Sequence, residues 1–274
     1  MVRSLWSAAS GMKAQQTSVD VIANNIANVN TTGYKSQVAQ FKTLLYQTLR
    51  EEATTANGDP KPTSAQVGLG TRIASINSSF KTGAFLASEN TNALAIAGDG
   101  FFGVTANGET LYTRAGDFNW SLTAGGGRIL TTNEGFPVQD TAGAQITLPN
   151  GVSADAVTYG DHGEIGYRDA EGNQVLTGQI VGLWQFNNRT GLEKVGNTMF
   201  RETMASGEPL PEGGAGGAGG LTPSTIVSGY LEGSNVNVAD EMVNLIVAQR
   251  AYELNSKAIT TSDSMLDTAN QLKR

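Results

Sequence analysis

The residues best placed to do chemistry are few, and each meets an objection from its own neighbours. Gly98-Asp99-Gly100-Phe101-Phe102-Gly103 spells the glycine pattern of a dinucleotide-binding turn, follows the apolar run Leu94 to Ala97, and has Asp117 about twenty residues on. Such a turn holds pyrophosphate only where it opens a helix whose N-terminus faces the phosphates. Here the string runs instead into Asn107-Gly108, a two-residue hairpin signal, so the glycines read as a strand entry. The second glycine block, 213–220, is not followed by Lys-Ser or Lys-Thr, which excludes a phosphate-binding loop of that type. Asp161-His162-Gly163-Glu164 offers one imidazole and two carboxylates on a turn, with no second histidine to complete a metal site. A serine nucleophile would depend on His162 as its base, and no serine lies in Gly-x-Ser-x-Gly. Without cysteine there is no disulfide, thiolate ligand or thiol nucleophile. The expectation is therefore no catalytic residue, no cofactor and no metal: not an enzyme.

The elements that would carry those residues point elsewhere. Leu5, Met12, Val19 and Ile26 fall seven apart near the N-terminus, joined by Ala8, Gln15, Ile22 and Val29 three residues after each. That spacing predicts a helix over about residues 3–29 with one apolar face. Near the C-terminus Val238, Leu245, Tyr252, Ile259 and Leu266 repeat at the same interval, with Met242, Ile246 and Leu254 widening the apolar surface. Asn237 is placed to cap this helix, and Asp240 and Glu241 sit in its positively polarised first turn. A helix of some 35 residues would span about 50 Å at 1.5 Å per residue, too long to hide its face on a small β domain alone. An apolar face wider than one partner helix covers favours packing among several copies over a private pair.

Between these ends, 34 glycines and only 16% charged residues point to short strands and tight turns. Phe101–Ala106, Asn107-Gly108 and Glu109–Arg114 form the best hairpin, and similar punctuation recurs at 125–127, 133–135, 150–151 and 171–173. Gly33 is suited to a left-handed cap after the first helix, and Phe41, Leu44, Leu45, Tyr46 and Leu49 form a short helix or an extended arm. Glu51 to Gln66, with Pro60 and Pro62, reads as an extended or mobile segment, and 213–220 as a flexible loop. The fold class is α+β: long N- and C-terminal helices packed as a coiled-coil-like pair, with a central antiparallel all-β domain. Its divisions are 1–45, an N-terminal helical part of an inner domain; 46–75, an extended linker or insertion; 76–226, the β domain; and 227–274, the C-terminal helix completing the inner domain.

The net charge of −7 is unevenly spread, with residues 51–234 carrying nine basic and nineteen acidic side chains. This disfavours nucleic acid, whose binding relies on clustered lysine and arginine. No apolar run approaches the roughly 20 residues of a membrane span, and the apolar centre of a secretory signal is missing from the first residues. By that test alone the protein would be placed in the cytoplasm.

Two long strings carry a resemblance. Asn24-Asn25-Ile26-Ala27-Asn28-Val29-Asn30-Thr31-Thr32-Gly33-Tyr34-Lys35 resembles the N-terminal signature of the bacterial flagellar rod and hook family. Ser234-Asn235-Val236-Asn237-Val238 and Gln249-Arg250-Ala251-Tyr252-Glu253-Leu254-Asn255 resemble its C-terminal signature, and 92–102 and 112–118 are similar to family strings between them. The resemblance implies a structural subunit of the flagellar distal rod, assembling into a helical homopolymer that transmits torque from motor to hook. It also implies proximal rod proteins, the hook protein and the surrounding P and L rings as neighbours. Export would run through the flagellar type III apparatus, without a cleaved signal peptide, to a periplasmic place in the basal body. The segment from about Tyr46 to Val67 lies where the family carries an insertion associated with a stiff rod. The residues expected at the polymerisation interface are Leu5, Met12, Val19, Ile22, Ile26, Val29, Val238, Met242, Leu245, Tyr252, Ile259 and Leu266. Asn25, Asn28, Gly33, Tyr34, Asn235, Asn237, Gln249 and Arg250 are the signature positions. Another flagellar axial protein, or a β-domain module that binds glycans as an adhesin does, is the alternative.

Overall fold

The computed structural model describes residues 2–50, 65–123, 126–149, 152–169, 173–212 and 222–272. The expectations for 51–64 and for the glycine block at 213–220 lie outside the described residues, as do parts of the turns at 125–127, 150–151 and 171–173. The chain is mixed α and β, with two long helices and many short antiparallel strands. It divides into two compact units: Met1–Ala27, Gln37–Ser78 and Asn237–Arg274 form one, Asn28–Ser36 and Ser79–Val236 the other.

The first unit holds helices α1 (Val2–Ala27) and α2 (Val238–Gln271) and four strands, β1 (Gln37–Thr43), β2 (Tyr46–Arg50), β3 (Ala65–Gly68) and β4 (Thr71–Ser78). Asn237 caps α2 as its sequence position predicts: its side chain accepts from the Ala239 amide at 3.1 Å and donates to Asp240 at 2.8 Å. β1 pairs with β4 and β2 with β3, both antiparallel, and α1 packs against β1, β4 and α2. Of the two readings open for Phe41 to Leu49 the extended one is found, because β4 and β3 supply the backbone partners that an isolated short helix would lack. The first helix ends at Ala27 rather than 29, so Val29 sits in the turn after it and belongs to the second unit.

In the second unit the strands are β5 (Phe85–Ala87), β6 (Leu94–Ala97), β7 (Phe101–Ala106), β8 (Glu109–Thr113), β9 (Phe118–Leu122), β10 (Arg128–Thr132), β11 (Thr147–Leu148) and β12 (Val157–Tyr159). They continue as β13 (Glu164–Arg168), β14 (Gln174–Ile180), β15 (Leu183–Gln185), β16 (Glu193–Gly196), β17 (Met199–Arg201), β18 (Leu210–Pro211), β19 (Thr225–Ser228) and β20 (Tyr230–Glu232). The widest sheet runs β16-β17-β8-β7-β15-β18; two three-stranded sheets, β11-β10-β9 and β12-β13-β14, and the pairs β19-β6 and β20-β5 complete it. One core gathers Leu94, Ile96, Phe102, Val104, Phe118, Leu130, Val138 and Ile165, each fully or almost fully buried. A second, aromatic core joins Phe101, Tyr112, Trp184, Phe186 and Phe200. Each such side chain contributes about 1.5–3 kcal/mol on burial.

The hairpin read from Asn107-Gly108 is present, with φ of 52° and 85° at the two turn residues. The glycines of the string at 98–103 have packing reasons. A Cβ on Gly98 would lie 2.6 Å from the Ser224 Oγ, one on Gly100 2.8 Å from a Glu212 oxygen, and one on Gly103 2.3 Å from the Trp184 ring. The pattern marks close approach within a β core, and β7 follows where a nucleotide site needs a helix.

Candidate assembly surface

Where α1 and α2 meet, the contacts are small and polar at regular intervals. Ser4 faces Ser262 with hydroxyls 3.3 Å apart, a Cβ on Gly11 would lie 3.0 Å from the Asn255 amide, and Asn25 donates to Glu241 at 3.0 Å. The helices therefore run antiparallel, and steps of seven along α1 match steps of seven, in the opposite sense, along α2. The same register sets Ser18 opposite Ala248, the one fully buried residue of α2. Leu245, Ile259 and Leu266 share this half-buried face of α2, while on α1 Ile22 is buried and Leu5, Met12, Val19 and Ile26 are half-buried.

The opposite side of α2 is apolar and open. Met242, Val243, Ile246, Val247, Leu254 and Met265 are all more than half exposed, as is Trp6 on α1. Of the positions expected at the interface, Val238, Met242 and Tyr252 lie exposed, and Leu245, Ile259 and Leu266 face α1. The seven-residue repeat alone did not separate these two faces, because the apolar arc of α2 is wider than one seam. On the strands of the same unit Val38, Tyr46, Leu49 and Ile76, with Leu45 in the link between β1 and β2, add further exposed apolar side chains. Most of the exposed large hydrophobic residues among those described belong to this unit, a distribution that marks an interaction surface.

Of the signature positions Asn25 and Gly33 are buried, Asn28, Tyr34 and Asn235 are half-buried, and Asn237, Gln249 and Arg250 are exposed. Asn25, 1% exposed, pairs its side-chain amide with the backbone of Gln37, donating to the carbonyl at 2.8 Å and accepting from the N–H at 2.9 Å. Thr31 donates to the Asn28 side chain, which organises the turn that leads to Gly33, and the Tyr34 amide bonds back to Thr31. Asn235 accepts from the Ser36 amide at 2.7 Å and donates to the carbonyls of Ser79 and Lys81. Gln249 and Arg250 lie on the surface, and the Arg250–Glu253 pair, with both side chains mostly exposed, contributes little to stability.

The β unit contains a buried ion cluster. Glu232 receives Lys35 at 2.6 Å and Arg114 at 3.3 Å, and all three side chains are sealed from solvent. Burial pushes the Lys35 ammonium and the Arg114 guanidinium below their ordinary values, and the Glu232 carboxylate opposes both shifts. Glu232 and Arg114 escape a reading of the sequence because their partners lie far along the chain. Lys35 and Arg114 lie within the resembling strings, but no local feature of the sequence pairs either of them with Glu232.

For Lys35 the pH dependence has a definite sign. Its folded value lies below the unfolded 10.5, so between the two the unfolded chain binds the extra proton and stability rises with pH. Buried Tyr112 and Tyr159 are shifted upward and act oppositely above about pH 10, the ordinary tyrosine value. Chemical denaturation of the native chain below that pH should therefore show a gain in midpoint as alkalinity increases; Lys194, also pushed down by burial, adds with the same sign, so Lys35→Met should reduce the gain. An identical slope in both proteins would refute the assignment to Lys35.

Comparison with known proteins agrees along the whole chain. The model described as Flagella basal body rod protein matches residues 5–35, Flagellar hook protein FlgE/F/G D1 domain matches 95–167, and Flagellar basal body rod FlgEFG protein C-terminal matches 227–272. The flagellar basal-body rod protein FlgG of Borreliella burgdorferi is 41% identical, and that of Bacillus subtilis 40%, each alignment covering 100% of both chains. The flagellar hook-basal body complex protein FlhP of Bacillus subtilis is 28% identical, again over both chains entire. Two helices of the kind the signatures require, an open apolar face and this end-to-end likeness agree: the chain belongs to the FlgG family of flagellar basal-body rod proteins.

Proposed function

We propose that the protein is a structural subunit of the flagellar distal rod, a passive and non-catalytic part that self-assembles into a helical tubular shaft and carries torque from motor to hook. The observation that carries this is the unpartnered apolar side of α2, opposite the face that α1 covers. Within the shaft, Met242, Val243, Ile246, Val247 and Leu254 bind neighbouring copies. Leu245, Ile259 and Leu266 with Ile22 hold the helix pair inside each copy as a coiled-coil-like unit. The wholly β middle of the chain makes the outer layer, where the P and L rings surround it, and proximal rod and hook proteins continue the structure at its ends. Subunits reach this periplasmic position through the flagellar type III exporter. No helix among the described residues is long and apolar enough to cross a membrane, in keeping with a shaft rather than an anchor.

Torque then passes through many repeated apolar contacts, each worth about 1.5–3 kcal/mol when fully buried. Family membership supports the shaft over a glycan-binding module. The test is position: a tagged subunit in purified basal bodies should label the rod between the motor and the hook. Label confined to the hook, or absent from basal bodies altogether, would overturn the proposal.

A further inference from the structure

The two signature strings suggest residues held for contact between subunits, yet several of them are spent inside the β unit. The segment after α1 and the segment leading to α2 lie side by side there: Gly33 donates its N–H to the Glu232 carbonyl at 2.8 Å and Ser36 donates to Asn235 at 2.7 Å. The Glu232 carboxylate also accepts from the Gly83 amide at 3.0 Å, and Lys35 donates to the Lys81 carbonyl that Asn235 also reaches. Arg114, stacked 5.0 Å over the Phe101 ring, reaches the Gly98 carbonyl with its other nitrogen. Three separated stretches of chain thus converge on the carboxylate of a fourth.

We infer that Glu232 is the positioning residue of an internal clasp, in which residues 33–36, 81–84 and 232–235 close together over Arg114 and open together as one cooperative piece of the β unit. The charge count explains why Glu232 is its centre. Two cations share one carboxylate, so removing Glu232 leaves both buried and uncompensated, whereas removing Lys35 leaves a balanced Arg114–Glu232 pair. The clasp fixes residues 33–36 only once 232–235 have arrived, and the reverse. This goes beyond the assembly proposal and is read on the monomer, so it stands or falls separately.

The experiment is amide hydrogen exchange on the full-length monomer. Glu232→Gln should lower protection at Gly33, Ser36, Gly83 and Gly233 by about 100-fold or more, while Leu130 and Thr105 in the body of the β unit stay within about tenfold. Lys35→Met should leave all of these amides within about tenfold of the native chain. Should Glu232→Gln fail to fold, Asn235→Ala decides, since it removes three hydrogen bonds without stranding a charge. In that variant Gly33 and Gly83 should lose protection together with Ser36. Loss at Ser36 alone, equal loss across the whole β unit, or Lys35→Met as damaging as Glu232→Gln would each overturn the clasp.

Discussion

Ile246→Asp combined with Val247→Asp should abolish polymerisation of purified subunits while shifting the urea unfolding of the monomer by less than about 0.5 kcal/mol. Both side chains are more than half exposed on the side of α2 away from α1, so aspartate there leaves the monomer's own packing intact. In a shaft the same positions are sealed, and an unpaired carboxylate in an apolar contact costs several kcal/mol at every subunit interface. Light scattering of growing filaments and sedimentation of the monomer read the two effects separately. Leu245→Asp should behave differently, because Leu245 shares the face that meets α1 and its loss loosens the helix pair itself. Normal filament growth by the double aspartate variant would remove the outer face of α2 from the assembly surface.

Gly33→Ala should destabilise the β unit by about 2–4 kcal/mol, and Gly33→Asn should not rescue it. The backbone at Gly33 has φ of +69°, a conformation asparagine tolerates better than alanine does. If the left-handed angle were the whole demand, asparagine would restore much of the loss. A Cβ at this position would, however, sit 2.5 Å from the Ala115 nitrogen and 2.8 Å from the Arg114 carbonyl carbon, both backbone atoms that cannot rotate away. Thermal or urea denaturation of the two variants distinguishes these causes, and a near-native asparagine variant would leave the close approach without consequence.

That glycine illustrates what a sequence makes legible. Its positive φ was readable from residue type, but as the cap of α1, whereas it lies six residues past the helix end and serves a contact with residues some eighty positions away. The helices, the Asn237 cap and the Asn107-Gly108 hairpin were readable because their causes are local: apolar spacing, a short polar side chain at a helix start, and a turn that needs positive φ. The ribbon of β1 to β4 was only half visible. Its strands carry exposed apolar side chains such as Tyr46 and Leu49, which break the alternation that marks a half-buried strand. The Lys35–Glu232–Arg114 cluster was invisible for the opposite reason, since nothing in the neighbourhood of any one of these residues reveals a partner 118 or 197 positions distant. The same holds for the seam, where serine, glycine and asparagine occupy the positions that meet and the leucines and isoleucines flank them.

The interleaving of the two units also sets a timetable. One draws on residues before 28 and after 236, and the other needs Glu232 to balance a lysine made two hundred residues earlier. A nascent chain therefore leaves the ribosome with neither its helix pair nor the clasp around Glu232 able to close, its first helix waiting through nearly the whole of synthesis for the last. Protein quality control must meet the first helix of this molecule without its mate for most of synthesis, and the closures that span the chain come last.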